Sequence, residues 1–373
     1  MIRVEYKKAI DLINRSKCVL VSGHLSPDGD SLGSMIAMSR FLRALGKEAY
    51  AVADYHALGK MEFMQGSKDF WPGRKVKRSR KKWDLFVCVD NHGGDRLPPE
   101  IRQLVTGLPT IYLDHHDTEL TTGSEMVDLS DPTASSACEL VWRFAKWNEW
   151  VIDDVIAEAL WTGLVTDTGR FAYEKCSRMT MMMGADLLKH NVRKTLINDI
   201  IYNRFSNKAM KLKKIAWRSL HIWRSGRVAE VTLTRDDFRS VRGTKADAED
   251  TVEIPRQCQR NEVAIYFYQI PDRTKEIRCS IRTRANWNAA ELAARFGGGG
   301  HAKAAGCTIK SSMAGAKRMM RRAIKEMFAG KKENINENRN NLDGRQSGTR
   351  EPVESARPSA EPQLPAAADS VQK

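Results

Sequence analysis

The stretch Cys18-Val19-Leu20-Val21-Ser22-Gly23-His24-Leu25-Ser26-Pro27-Asp28-Gly29-Asp30-Ser31-Leu32-Gly33-Ser34 decides the fold of the N-terminal half. Its first five residues form an apolar run of strand length. From Leu32 to Leu45 the apolar residues recur at the spacing of an amphipathic helix. Between strand and helix, a short loop presents one imidazole and two carboxylates, and the helix begins on small residues. Such nitrogen and oxygen donors on rigid backbone suit hard or borderline divalent cations. An Asp-Gly-Asp triplet alone is also an ordinary surface turn, so its weight depends on what the rest of the chain adds.

The strand-loop-helix pattern repeats. Candidate strands are Cys18–Ser22, Ala49–Ala53, Leu85–Val89, Thr110–Leu113 and Met126–Leu129. Candidate helices are Val4–Asn14, Leu32–Leu45, Ser136–Trp147, Asp154–Leu164 and Thr180–His190. This alternation predicts an α/β domain on a parallel sheet, in which ligands collect at the carboxyl ends of strands. His24, Asp90 and Asp114 each directly follow a candidate strand.

Beyond it, residues 192–223 read as a basic helical linker carrying Lys208, Lys211, Lys213, Lys214 and Arg218. A second α/β domain is expected over 224–330, with strands Val228–Thr234, Val263–Gln269, Glu276–Arg282 and Cys307–Ile309. Helices at Ala289–Phe296 and Met313–Phe328 complete it. Residues 331–373 have almost nothing apolar to bury and read as a disordered tail. The domain plan is therefore 1–191, 192–223, 224–330 and 331–373.

With 373 residues and 42% hydrophobic content, the chain can bury two cores. Its seven cysteines are scattered singly with no CxxC, which argues against a disulfide framework and a thiolate zinc site. No apolar run is long enough to cross a bilayer, and Met1–Lys8 lacks a signal-peptide core, so a cytoplasmic protein is expected. The formal charge is +15. Residues 331–373 hold seven Lys/Arg and seven Asp/Glu, so the excess lies in the folded part. A basic surface suits a polyanionic substrate or partner. The densest run, Arg74-Lys75-Val76-Lys77-Arg78-Ser79-Arg80-Lys81-Lys82, reads either as a solvated loop or as a phosphate-backbone contact.

Four acidic or histidine clusters mark the first domain: His24/Asp28/Asp30, Asp90, Asp114-His115-His116, and Asp167 in Thr166-Asp167-Thr168-Gly169-Arg170-Phe171. Singly, each reads as a turn, a cap or a surface histidine. Together, at equivalent edges of one sheet, they converge. Aspartates packed this closely repel unless cations neutralise them, and with two imidazoles they suit a pair of Mn²⁺ or Mg²⁺ ions, with Co²⁺ also served by these donors. A bridging water acidified by both ions would attack a phosphoryl group in line. In the second domain, Arg282 and the run Gly297-Gly298-Gly299-Gly300-His301 can donate to phosphate oxygens, the glycines through close backbone approach.

These motifs, in this order, resemble the DHH phosphoesterase family with a DHHA1 second domain, and within it the nanoRNase/pAp phosphatase group. The motifs are HLSPDGDSLGS, VDN, DHH, TDTGRF, SIRT and GGGGHAKAAG. The resemblance spans about Val4 to Phe328 and implies a parallel-sheet DHH domain plus a smaller DHHA1 domain with a mixed sheet. It further implies that His24, Asp28, Asp90 and Asp167 hold one metal, and Asp30, Asp90, His115 and Asp167 the other, with Asp90 bridging. Asp114 would orient a ligand, and His116 would face the scissile phosphate. Arg282, His301 and Gly298, Gly299 and Gly300 would grip a terminal phosphate, with Arg170 and Arg96 as weaker contacts. His92, in Asn91-His92-Gly93-Gly94, departs from the pattern and reads either as an extra neighbour of the metals or, as the favoured expectation, as a solvent-facing residue. The implied activity is Mn²⁺-dependent hydrolysis of short RNA oligonucleotides to mononucleotides, together with removal of the 3′-phosphate of 3′-phosphoadenosine 5′-phosphate. Implied partners are short RNA or nucleotide phosphates, with no membrane, and a homodimer is compatible. The alternatives are a phosphodiesterase of pApA or cyclic dinucleotides and an inactive nucleic-acid-binding protein. No acid or histidine of the motifs is missing, which weighs against the inactive reading.

Overall fold

The computed structural model describes residues 2–94, 96–117, 125–269 and 276–343, with 2–3, 55–56 and 331–343 described by backbone alone. It divides into two compact units, Met1–Arg204 and Phe205–Lys373. In the first, strands β1 (Cys18–Ser22), β2 (Glu48–Val52), β3 (Leu85–Val89), β4 (Thr110–Leu113) and β5 (Met126–Asp128) form a sheet in the order β2-β1-β3-β4-β5. All four pairings are parallel. The helices are α1 (Ile2–Arg15), α2 (Gly29–Ala44), α3 (Tyr55–Leu58), α4 (Gly73–Arg78), α5 (Pro99–Val105), α6 (Ala137–Trp147), α7 (Asp154–Asp167), α8 (Arg178–Leu187) and α9 (Lys194–Asn198).

The continuous apolar runs of β1, β3 and β4 follow from burial on both faces. Side chains alternate: Val19, Val21, Val87, Val89, Ile111 and Leu113 enter a core with α1, α2, α6 and α7. Leu20, Phe86, Cys88 and Tyr112 enter a second core that also holds Val76 of α4 and Ile101 of α5. Because β1, β3 and β4 are adjacent, the loops after them leave the same edge of the sheet side by side. The helices behind that edge pack unusually close. A Cβ on Gly163 of α7 would stand 2.3 Å from Cys138 Sγ of α6 and 2.9 Å from Asp30 Oδ1 of α2.

The second unit contains α10 (Asn207–Arg218), β6 (His221–Trp223), β7 (Val228–Leu233), α11 (Arg235–Ser240), α12 (Glu253–Arg256), β8 (Val263–Gln269), β9 (Glu276–Thr283), α13 (Ala289–Ala294), β10 (Gly299–Gly300), β11 (Ala304–Lys310) and α14 (Met313–Asp343). Its sheet runs β10-β11-β9-β8-β7-β6; β7 and β8 are parallel and every other pair antiparallel. One face packs on α13 and α14, the other on α10 and α12.

Segment 192–223, expected as a linker, divides between the units. Ile197 and Ile201 are buried in the core of the first, while Leu212 and Ala216 of α10 are buried in the second. Its end is a strand rather than a helix: Ser219 caps α10, and His221–Trp223 then pairs with β7. At the other end, the backbone of α14 continues past the expected boundary at Lys331 to Asp343. No proline interrupts that stretch, and Gly344 follows its last helical residue. The rest of the expected tail, 344–373, lies outside the described residues.

Candidate metal centre

Local sequence explains how each donor is presented. Asp28 is the N-cap of α2, its Oδ1 accepting the N–H groups of Asp30 (3.0 Å) and Ser31 (3.1 Å). Asp30, in the first turn, is fully buried; its two oxygens accept from the N–H of Ala137 (2.7 Å) and Cys138 (2.9 Å) at the start of α6. The start of one helix thus holds an acid from another in place. Asp90 leaves β3 in a left-handed conformation (φ 52°) that aspartate tolerates better than most residues, while its N–H donates to Leu113 O at 3.0 Å. Asp114 accepts the N–H of His115 (2.7 Å) and of His116 (3.2 Å), together with His116 Nδ1 (2.6 Å). Its other oxygen accepts the N–H of His92. Asp167 is the last residue of α7.

These side chains converge. His24 Nε2 is 3.1 Å from Asp90 Oδ2, and His115 Nε2 is 3.1 Å from Asp167 Oδ2, 3.7 Å from Asp90 Oδ1 and 3.9 Å from Asp30 Oδ2. His116 Nδ1 lies 3.7 Å from Asp90 Oδ1. Three overlapping sets bring their donor atoms within 4.8 Å of one another: His24/Asp28/Asp90, Asp30/His115/Asp167 and Asp90/Asp114/His115/His116. The first two sets each share three members with a ligand group expected from the sequence; Asp167 gathers with the second set and not with the first, and Asp90 gathers with the first and third sets and not with the second.

The crowding perturbs protonation strongly. Burial, and then the charge of Asp90, pushes Asp30 up to about 7. Burial also raises Asp28 and Asp167, with neighbouring aspartates adding to it. Burial would raise Asp90 as well, but His115 and His24 beside it hold it below the usual carboxylate range. His115 moves the other way. Burial alone would lower it, yet Asp90, Asp167 and Asp30 push it up to about 9. Protons on carboxylates and imidazoles thus supply the positive charge that this pocket demands.

Divalent cations fit the same demand. Donors about 2.1 Å from an octahedral ion stand about 3 Å apart, close to the His24–Asp90 and His115–Asp167 separations. Asp90 Oδ2 and His115 Nδ1 are buried without a well-aligned hydrogen-bond partner. All the donors are nitrogen or oxygen. The nearby thiols of Cys88 and Cys138 are kept protonated by burial and donate to carbonyls instead.

Several surrounding residues differ from expectation. His92 does not face solvent: its ring is packed edge-on against Tyr112, with Nε2 3.3 Å from Asp128 Oδ2 at the end of β5. Arg170 is turned onto the Tyr202 ring at 4.5 Å. Arg96 lies at the rim of the cluster, its guanidinium 3.4 Å from the carbonyl of Asp90. Lys175, which drew no attention in the sequence, donates from Nζ to the carbonyl of His115 at 3.1 Å. A lysine in a polar loop carries no signal for such a position.

In the second unit, Arg282 lies on β9 opposite Ala304, and His301 occupies the β10–β11 turn. The glycine run has a structural reason of its own. The N–H groups of Gly297 and Gly298 close the end of α13 on the carbonyls of Ala294 and Ala293, and His301 N–H donates to Ala304 O. A Cβ at Gly298 would meet Gly306 O at 2.2 Å. Those three N–H groups are therefore spent within the chain, two at the end of α13 and one in the hairpin, and are unavailable to an anion.

Residues 18–164 match the DHH family, N-terminal domain, and residues 243–330 match the DHHA1 domain. The chain is 27% identical over 303 residues to the bifunctional oligoribonuclease and PAP phosphatase NrnA of Thermus thermophilus, covering 78% of this chain and 84% of that protein. A relative of different description, the cyclic-di-AMP phosphodiesterase GdpP of Geobacillus thermodenitrificans, is 24% identical over 86% of this chain and 49% of its own length. Among solved structures, an exopolyphosphatase-related protein from Bacteroides fragilis superposes with a TM-score of 0.79 at 24% identity, covering 87% of this chain and 96% of that one.

Proposed function

The chain carries a DHH N-terminal domain followed by a DHHA1 domain, and we propose that it is a metal-dependent phosphoesterase cleaving short RNA oligonucleotides to mononucleotides, with 3′-phosphoadenosine 5′-phosphate as a second substrate. The observation that carries this reading is the convergence of Asp28, Asp30, Asp90 and Asp167 on His24 and His115 at one sheet edge. The Thermus relative, an oligoribonuclease and PAP phosphatase, supports the substrate class. His24, Asp28 and Asp90 would hold one ion and Asp30, His115, Asp90 and Asp167 the second, with Mn²⁺ the favoured metal. Such ions, when bound, acidify a water for attack and offset phosphoryl charge.

The chain's own groups do the rest. Asp114 fixes His116 through Nδ1, leaving Nε2 to donate a proton to the departing oxygen. Arg96 and Lys175, the cations at the rim, orient the phosphate by charge. Arg282 and His301 bind a nucleotide phosphate in the second unit. The GdpP relative favours one second reading, hydrolysis of pApA or of cyclic di-AMP. Side-by-side turnover of a 5′-labelled diribonucleotide, a pentaribonucleotide, 3′-phosphoadenosine 5′-phosphate, pApA and cyclic di-AMP separates the two. The proposal expects efficient release of mononucleotide from the diribonucleotide and slow turnover of the cyclic compound. Turnover of cyclic di-AMP alone would replace it with the second reading.

A further inference from the structure

The basic run Arg74–Lys82 has no part in the proposed chemistry, yet the structure gives it a fixed form. Helix α4 is anchored by Val76, 1% exposed in the core beneath the sheet, while Arg74, Lys75, Lys77, Arg78, Arg80 and Lys82 stand exposed. Trp71 N–H donates to Ala51 O at 2.9 Å and extends the outer edge of β2. Its ring lies 4.3 Å from Tyr50, which in turn lies 5.6 Å from Trp83. Lys75 Nζ sits 3.9 Å over Trp71. Beside these half-buried rings, a groove of about 430 Å³ is lined by Tyr50, Phe70, Trp71, Lys68 and Lys75, and its wall also holds Glu48 and Asp69, the latter paired with Arg43. Lys81 is paired with Glu48. Among the described residues, no carboxylate forms an ion pair with Arg74, Lys75, Lys77, Arg78, Arg80 or Lys82.

We propose that this surface is an accessory site for single-stranded RNA, with Arg74, Lys77, Arg78 and Arg80 tracking the phosphodiester backbone and the Trp71–Tyr50–Trp83 rings accepting unpaired bases. Unneutralised cations on an ordered surface attract a polyanion. Aromatic rings interleaved with cations fit single strands, because every base offers a face to stack on. An anionic membrane fits less well, since an interfacial helix turns its apolar face outward, and the one apolar residue of Arg74–Lys82, Val76, points into the core. The inference borrows from the proposed activity only the identity of the polymer as RNA. Binding here needs no metal.

The test is fluorescence anisotropy of a labelled single-stranded RNA of about 20 nucleotides, with EDTA present so that nothing is cleaved, at salt from about 50 to about 200 mM. The wild type is compared with R74E/K77E/R78E/R80E and, as a milder change, with W71L. The charge-reversed protein should bind at least about tenfold more weakly at the low-salt end. Its slope of log affinity against log salt should be shallower by about 3, at about 0.7 per lost phosphate contact. W71L should weaken binding without changing the slope. Circular dichroism confirms that both variants fold, and W71L carries the test if the fourfold variant does not. Equal affinity and slope in all three proteins would overturn the proposal, as would binding to phosphatidylserine vesicles or an acidic peptide with none to RNA. Failure of the wild type to cleave the diribonucleotide would count against the activity and leave this binding result standing.

Discussion

Asp90 and His115 shift in opposite directions because Asp90 lies against the imidazoles of His24 (3.1 Å) and His115 (3.7 Å), while His115 lies among the carboxylates of Asp167 (3.1 Å), Asp90 and Asp30. Asp90 stays ionised among imidazoles, and His115 rises to about 9 among carboxylates. Asp30, raised to about 7, adds to the imbalance. A carboxyl with a raised folded-state pKa loses stability between its unfolded value and its folded one as pH climbs. A histidine with a raised pKa contributes stability below about 6.5 that is lost as pH passes about 9. Both effects run the same way. The metal-free protein should therefore melt at progressively lower temperature from about pH 5 to about pH 9, and Mn²⁺ should raise the melting temperature more at pH 8.5 than at pH 6. Calorimetry at several pH values with and without Mn²⁺ checks this; a Mn²⁺ increment larger at the acid end would contradict it. His116 sits one step away from the ligands, so His116→Asn should lower kcat by about 10²–10⁴ with metal content unchanged. Loss of bound metal in that variant would move His116 into the ligand set. The donors were legible in the sequence because each lies at, or within a few residues of, a strand or helix end. The positions of His92 and Lys175 were not, because they depend on tertiary contacts to Asp128 and His115 that no local pattern encodes.

At the scale of elements, the sheet of the first unit was readable almost residue for residue, since strands buried on both faces are continuous apolar runs bounded by polar turns. The misread elements are those whose pattern has two physical causes. Gly297–Gly300 fits an anion loop and also a hairpin lying hard against β11, and the structure uses Gly298 for the second. His221–Trp223 is too short to display strand alternation and is specified by its pairing with β7. The contact of α2, α6 and α7 makes a prediction of its own. Gly163→Ala would gain about 1 kcal/mol of helix propensity, but its methyl group would stand 2.3 Å from Cys138 Sγ and 2.9 Å from Asp30 Oδ1. Overpacking of this kind costs about 1–3 kcal/mol, and the shift falls on a carboxylate of the metal centre. Chemical denaturation should show a net loss of stability, and titration should show weaker Mn²⁺ binding. A stabilised variant with undiminished metal affinity would mean that the helices adjust without moving Asp30.

For the whole molecule, division into two units follows from two alternating patterns separated by a basic helical stretch, while the boundary itself could not be placed from periodicity. Residues on both sides of Arg204 are helical, and only burial of Ile201 in one core and Leu212 in the other assigns them. Among the described residues, no helix is long and apolar enough to cross a membrane. The proposed function requires that the acids and imidazoles at the carboxyl edge of the first sheet hold a pair of metal ions and hydrolyse a phosphoester there. Its most direct test is metal stoichiometry and diribonucleotide turnover measured on the same preparations of wild type and Asp90→Asn, after Mn²⁺ loading and after stripping with EDTA. Loaded wild type should hold two ions per chain and turn over the diribonucleotide, stripped wild type should show no turnover, and Asp90→Asn should hold fewer than two ions with turnover abolished. Undiminished turnover by the stripped wild type, or by an Asp90→Asn protein that still holds two ions, would contradict it.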